Sequence, residues 1–443
     1  MPNGKIIEPR VLKGFRDSMP ENEIRKKAII AKLEEMFSSY GFVPIDTPVL
    51  EYTEVLLGKG GGETDKQIFH FKDNGEREVA MRFDLTVPFA RFMAAHLNEL
   101  PLPFKRFHID KVWRGENPQK GRFREFTQCD FDIVGVDNAE ADFEILSMMD
   151  ASFSMLGIQG YTFHIAHRGL FNAFLSHLGV EEKAVEILRE VDKLRKVGAA
   201  SVKESLTRIT ADEAKAEAVM RFITKDDQQE PFLETLQRLA MLAGGENEHT
   251  ARMRKIYGYL ESAHIANHFV YDPSITRGLD YYTGIVYETF LNGLDQFGSV
   301  CSGGRYNNLA SLYTKQELPG VGSSIGLDRL MAALGELDSN MLGDSRAADV
   351  LVMVMDEELR PWYNELAAKM RGAGLHVDLY LPEGKKMGVQ FKYAELQHIP
   401  FALTCGSNEH DAGKVTLKDL RSRETRQMVT LDEAVKTIKE GLA

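Results

Sequence analysis

Residues 104–135 read FKRFHIDKVWRGENPQKGRFREFTQCDFDIVG and hold arginine, amide and carboxylate side chains in a regular order. The middle, GENPQKG, has the composition of a loop, so its flanks are expected to form the two strands of a hairpin. On the second strand, period-two alternation places Arg122, Arg124, Gln128, Asp130 and Asp132 on one face with Phe126, and Phe123, Cys129, Phe131 and Ile133 on the other. The polar face is graded, with arginines at the loop end, an amide midway and carboxylates at the far end. Such a face suits a ligand that is anionic at one end and proton-donating at the other, as adenosine triphosphate beside an amino acid would be. From this strand alone, a solvated outer face of a sheet competes with that idea.

Neighbouring segments bear on the choice. In residues 78–86, expected to be a strand, Arg82, Asp84 and Thr86 share one face and Met81, Phe83 and Leu85 the other, and Asp84 is a candidate partner for a ligand ammonium. RGLDYYTG at 277–284 adds an arginine, two tyrosines and flanking glycines; a tyrosine pair alone is also ordinary core. Gly303-Gly304-Arg305 and GVGSSIGLDRL at 320–330 supply glycines where backbone must approach something closely, with Arg329 in the first turn of a helix. That combination favours a phosphate, and a tight strand-to-helix turn with a surface arginine is the alternative. GKGGGETD at 58–65 lacks the order of a phosphate-cradling loop and is expected to be a surface loop or lid. Signatures of dinucleotide binding, serine hydrolysis and zinc proteolysis are missing.

The elements that must position these residues follow from patterning. Ile29, Ile30, Leu33, Met36 and Phe37 recur at helical spacing within 24–40, and Gly41 stops the helix. Short strand candidates at 42–50, 78–86, 104–114 and 122–135 suggest an antiparallel sheet. Residues 170–266 turn to charged helical texture, and strand texture returns at 281–290, so a helical insertion divides one larger domain. Residues 338–347 resemble a linker, and 348–443 alternate strand and helix as a separate small α/β domain. The expected organisation is a catalytic domain in two parts, 1–169 and 267–337, with the insertion between them.

At 443 residues, 43% hydrophobic and 27% charged, the chain has the balance of a folded protein of roughly two to four domains. A net charge of -12 means that a nucleic-acid partner must meet a local basic surface. The local surplus at 414–426 (Lys414, Lys418, Arg421, Arg423 and Arg426 against Asp419 and Glu424) is one candidate. Three distant cysteines and no histidine cluster argue against structural zinc, and the absence of a long apolar run or leader pattern makes the expected location cytoplasmic, with no membrane.

Taken together, these segments resemble the class II aminoacyl-tRNA synthetases. GFVPIDTPVLE at 41–51 resembles motif 1, residues 104–135 motif 2, and GVGSSIGLDRL motif 3. MRFDLTVPFAR at 81–91, RGLDYYTG, and SVCSGGRYNNL downstream are similar to segments of the histidyl-tRNA synthetase family. The resemblance covers nearly the whole chain and implies an antiparallel catalytic sheet flanked by helices, a helical insertion and a C-terminal anticodon-binding domain.

It further implies activation of L-histidine with ATP and transfer to tRNA(His) by a homodimer, with Mg²⁺ held by ligands it does not name. By position in the motifs, Arg114, Arg122 and Arg329 would meet ATP, and Arg277 and Arg114 the reacting centre. Asp84, Thr86 and Gln128 would hold the α-amino group, Asp132 and Tyr282 the imidazole, and Arg277 the carboxylate. Asp84 and Asp132 stand where some relatives have glutamate. The main rival is a synthetase-like regulatory subunit of ATP phosphoribosyltransferase, which would lack the anticodon domain and erode RGLDYY.

Overall fold

The computed structural model describes residues 7–58, 67–117, 120–225, 230–275, 281–337 and 339–442. The chain folds as two units, residues 1–17 with 29–341 and residues 18–28 with 342–443.

The first unit contains strands β1 (Val43–Pro44), β2 (Leu50–Tyr52), β3 (His70–Lys72), β4 (Glu78–Met81), β5 (Phe104–Trp113), β6 (Glu125–Val134), β7 (Tyr161–His167), β8 (Phe269–Tyr271), β9 (Ile285–Leu291), β10 (Cys301–Tyr306) and β11 (Gly320–Gly326). Eight of them form one sheet in the order β1-β5-β6-β11-β10-β9-β7-β8, and β2-β4-β3 form a small second sheet. The large sheet is antiparallel apart from the pairs β1/β5 and β7/β8 at its edges. Its centre is the predicted hairpin, β5 and β6 paired from Phe104↔Val134 to Trp113↔Glu125, with β11 on the other side of β6.

One face of the hairpin is core: Phe131 and Phe107 pack on Phe37 at ring separations of 4.9 and 5.7 Å. Phe37 lies with Ile29 and Leu33 on the buried stripe of the helix Pro20–Ser39, the i, i+4 spacing of an amphipathic helix. Between β7 and β8 the chain is helical, from Arg168–His177 to Glu248–Ser262. Asn247 caps that last helix by accepting from the backbone N–H groups of His249 and Thr250.

The second unit holds β12 (Val350–Val352), β13 (Val377–Leu379), β14 (Phe401–Leu403), β15 (Val415–Asp419) and β16 (Thr425–Val429), ordered β13-β12-β14-β15-β16. The first three are parallel and joined through the helices Arg360–Gly372 and Met387–Leu396. Their apolar runs, fully buried in β12 and β14, are what a sheet covered on both faces requires.

Candidate active site

The polar face of β6 is buried: Gln128, Asp130 and Asp132 are 8%, 1% and 2% exposed, so it is not a solvated outer face. Arg122 and Arg124 precede the strand, which begins at Glu125, and lie outside its alternation. The predicted strand 78–86 is also shortened. β4 ends at Met81, and Thr86 opens the helix Thr86–Ala95. Pro88 fits the first turn of that helix, where its missing N–H leaves no bond unmade. The Asp84 carboxylate accepts the Val87 N–H at 3.1 Å. Arg82, fully buried, turns away from this group: it donates to the carbonyls of Thr47 and Lys111 and pairs with Asp110.

Asp84 and β6 meet the tyrosines that precede β9. The Tyr281 hydroxyl lies 3.4 Å from Asp84 Oδ2, and the Tyr281 and Tyr282 rings meet edge-on at 4.9 Å. Burial raises the Tyr282 hydroxyl pKa, aided by the charges of Asp132, Asp130 and Asp84. Thr86 Oγ1 donates towards Asp130 Oδ2 at 3.4 Å. Gln128 Nε2 donates to Ser324 Oγ at 2.9 Å, and its Oε1 has no partner among the described residues. Asp132 Oδ1 accepts from the Tyr306 hydroxyl at 2.6 Å, while Oδ2 lies 2.7 Å from Arg106 in an ion pair without hydrogen-bond alignment.

Burial pushes Asp84 up to about 6, against the Val87 N–H and the charges of Arg114 and Arg106. It pushes Asp130 up to about 7, aided by Asp132 and Asp84 and opposed by Arg106. Asp132 is raised by burial too, against Arg106 and Tyr306. Three carboxylates held this close without full compensation favour a cationic, proton-donating ligand.

The glycines are there for space. A Cβ on Gly322 would lie 1.8 Å from Asp132 Oδ1, and one on Gly304 would lie 2.6 Å from the Ile285 carbonyl and 3.0 Å from the Tyr282 ring. What approaches closely at these positions is protein, not the phosphate suggested by their pattern.

Beside the acidic pocket stands a cationic one. Arg114 Nε donates to the Phe83 carbonyl at 2.9 Å, and its charge acts on both Asp84 and Arg329. Arg122 lies 3.6 Å from Glu116. Arg329, on the helix Leu327–Leu337, donates to the Ser299 carbonyl and keeps a buried Nε without a partner among the described residues. Burial, with repulsion from Arg122 and Arg114, lowers its pKa to about 10 although Glu116 and Glu288 oppose the shift. Under-compensated guanidinium groups of this kind suit a polyanion.

The structure thus brings together Asp84, Thr86, Gln128, Asp132 and Tyr282, and sets Arg114, Arg122 and Arg329 beside them. Arg277 lies outside the described residues, as does most of the glycine-rich segment 58–65. Arg106 and Tyr306 join the set without having been singled out, and Asp130 and Tyr281, read from the sequence only as part of the polar face and of the tyrosine pair, join it beside Thr86 and Asp84. Arg106 was within reach of sequence reasoning, since hairpin register puts it opposite Asp132. In the second unit the basic surplus is partly tied up: Arg421 pairs with Asp419 at 2.9 Å and Lys418 lies over the Phe391 ring.

A large antiparallel-rich sheet with flanking helices, together with a separate α/β unit bearing its own sheet, is the fold of a class II aminoacyl-tRNA synthetase. The family model described as histidyl-tRNA synthetase matches residues 14–330, and that described as anticodon binding domain matches residues 349–441. The chain is 48% identical to the histidine–tRNA ligase of Treponema denticola over 98% of each chain. It is 45% identical to that of Rhodopirellula baltica over 99% of each. The crystal structure of histidyl-tRNA synthetase from Nostoc sp. PCC 7120 matches with a TM-score of 0.87 at 32% identity, covering 98% of this chain and 100% of that one. The chain belongs to the histidyl-tRNA synthetase family.

Proposed function

We propose that the protein joins L-histidine to ATP, forming histidyl-adenylate and pyrophosphate, and then transfers the histidyl group to the 3′ end of tRNA(His). The observation that carries this is the buried pocket of Asp84, Asp130 and Asp132 walled by Tyr281, Tyr282 and Tyr306, with an arginine cluster beside it. Asp84, Thr86 and Gln128 Oε1, which has no partner among the described residues, take the α-ammonium. Asp132 and Tyr282 take the imidazole, with the buried Asp130 carboxylate as a further acceptor. An imidazole has nitrogens on two edges, and an apolar analogue would leave these buried groups unpaired and be rejected. Arg114, Arg122 and Arg329 hold the phosphates, and Arg277 joins Arg114 at the histidine carboxylate and α-phosphate, as the family resemblance implies.

A carboxylate oxygen of histidine attacks the α-phosphorus in line. The bond from phosphorus to the bridging oxygen breaks, and pyrophosphate leaves with that electron pair. The site contributes position and fixed positive charge, so no covalent enzyme intermediate is needed. A hydroxyl of the terminal tRNA adenosine then attacks the acyl carbon, loses its proton and releases AMP. Glu116 and Glu288 act on Arg329, so hard oxygen donors of the kind Mg²⁺ takes adjoin the phosphate region. When bound there, Mg²⁺ supplies charge neutralisation at the phosphate oxygens.

The second unit would meet the anticodon stem. A homodimer is implied by the resemblance of residues 41–51 to motif 1, and Val43, Leu50 and Tyr52 in and beside that segment are 46%, 43% and 51% exposed. A monomeric mass at working concentration would refute it. We assign the protein to the cytoplasm; among the described residues no helix is long and apolar enough to cross a membrane.

The deciding assay is exchange of labelled pyrophosphate into ATP without tRNA, run with each of the twenty amino acids. Exchange with histidine alone is expected. Exchange with another amino acid would overturn the imidazole assignments, and none at all would favour the non-catalytic regulatory role.

A further inference from the structure

A buried charge network anchors the tyrosine wall of the pocket from behind and reaches into the helical insertion. At its centre is Asp142, in the first turn of the helix Ala139–Met155 and 0% exposed. Its Oδ1 accepts from Arg305, at 2.8 Å from Nε and 2.7 Å from Nη2, and its Oδ2 accepts from Arg252 Nε at 2.6 Å. Arg252 belongs to the insertion helix Glu248–Ser262, and its other nitrogens reach Asp137 Oδ1 at 2.6 Å and the Asn138 carbonyl at 2.8 Å. Two guanidinium groups thus balance two carboxylates, and each fork is filled.

Arg305 is also sewn to the tyrosines. Its carbonyl accepts the Thr283 N–H at 2.8 Å, and the Asn307 N–H donates to Thr283 Oγ1 at 3.1 Å. The Arg305 stem fills the space that Gly284 leaves, where a Cβ would lie 3.1 Å from it. Just before it, Gly304 backs the Tyr282 ring. The Arg305 main chain and side-chain stem thus both touch the segment that carries Tyr281 and Tyr282, while its guanidinium is held on Asp142.

We propose that Arg252 is a positioning residue for amino-acid binding. Through Asp142 it fixes Arg305 and hence the tyrosine wall, so the helical insertion supports histidine selection although none of its described residues lines the pocket. A fully buried carboxylate that loses one of two partners is left under-compensated, so Asp142 and the Arg305 guanidinium rearrange, and the pocket widens on the imidazole side while the arginine cluster stays in place. The inference rests on the pocket being the histidine site.

The test is pyrophosphate exchange by the full-length chain, with KM measured separately for histidine and ATP. Arg252→Met should raise the histidine KM about tenfold, the size expected of a packed side-chain chain that couples two places. The ATP KM and the rate at saturating histidine should hold within about 1.5-fold in both Arg252 variants. Arg252→Lys keeps the charge but loses the fork, so a rise of about threefold is expected; it carries the test if the methionine variant does not fold. Tyr259→Phe removes a neighbouring contact of the same helix, its hydrogen bond to Glu140, and should leave the histidine KM unchanged. Histidine KM unchanged in both Arg252 variants, or histidine and ATP KM rising together, would overturn the proposal. A wild-type protein that exchanges with no histidine would instead overturn the assignment of the pocket.

Discussion

Arg329 is held in a state that the free protein pays for and a bound triphosphate would relieve. Its pKa falls from the ordinary guanidinium range to about 10 through burial and the nearby Arg122 and Arg114. At about 1.4 kcal/mol per tenfold, keeping it charged costs the folded state on the order of 3 kcal/mol, or about 2 after solvent screening of a partly exposed group. Neutral pH lies below both values, so the penalty is fully present there. Arg329→Met removes it and also the hydrogen bond to the Ser299 carbonyl, worth about 1 kcal/mol. The free variant should therefore be about 1 kcal/mol more stable in urea unfolding, while adenylation falls on the order of 10²-fold. ATP at a hundred times its Kd protects the wild type by about 2.7 kcal/mol; a variant binding tenfold more weakly keeps about 1.4 at the same concentration. A variant destabilised by 1 kcal/mol or more, with undiminished protection by ATP, would refute an anion site built on these three arginines.

Gly322→Ala should be among the most damaging single-methyl changes. The new Cβ evicts Asp132 from Tyr306 and Arg106, so a loss of about 3 kcal/mol in unfolding is expected together with a raised histidine KM; a loss below 1 kcal/mol would show that the strands can shift apart. Asp84 and Asp130, raised to about 6 and about 7 by burial, lower the stability of the free protein as pH rises from the ordinary carboxylate value through that range. A bound ammonium offsets this once the carboxylates ionise, so saturating histidine should raise the melting temperature more at pH 8 than at pH 5.5. Asp84→Asn is the control for histidine's own imidazole titration, and an identical pH dependence in that variant would remove Asp84 from the ammonium site.

Local pattern determined a good deal of this protein. The hairpin of residues 104–135 was legible because loop composition separates two aromatic-rich alternating runs, and it forms β5 and β6 in that place. The C-terminal β-α-β order was legible for the same reason. The strand expected at 78–86 extends only to Met81: MRFDLT alternates, but the Asp84 carboxylate takes the Val87 N–H and Pro88 fits the first turn, so a helix start overrides the period of two.

What tertiary structure alone decided is the environment of each group. Alternation assigns Asp130 and Asp132 to one face without saying whether that face meets water; β11 on one side and Tyr281, Tyr282 and Tyr306 over it bury them. The glycines at 303, 304 and 322 read as places of close approach, yet only strand pairing revealed that they admit, in turn, the Gly322 carbonyl with the Tyr287 ring, the Tyr282 ring, and Asp132. Arg252, Asp142 and Arg305, far apart in the chain, carry no shared motif. Residue type and spacing encode which groups a strand or helix presents, because local geometry is periodic; burial, pairing and pKa depend on neighbours from distant segments, and those exist only once the chain has folded.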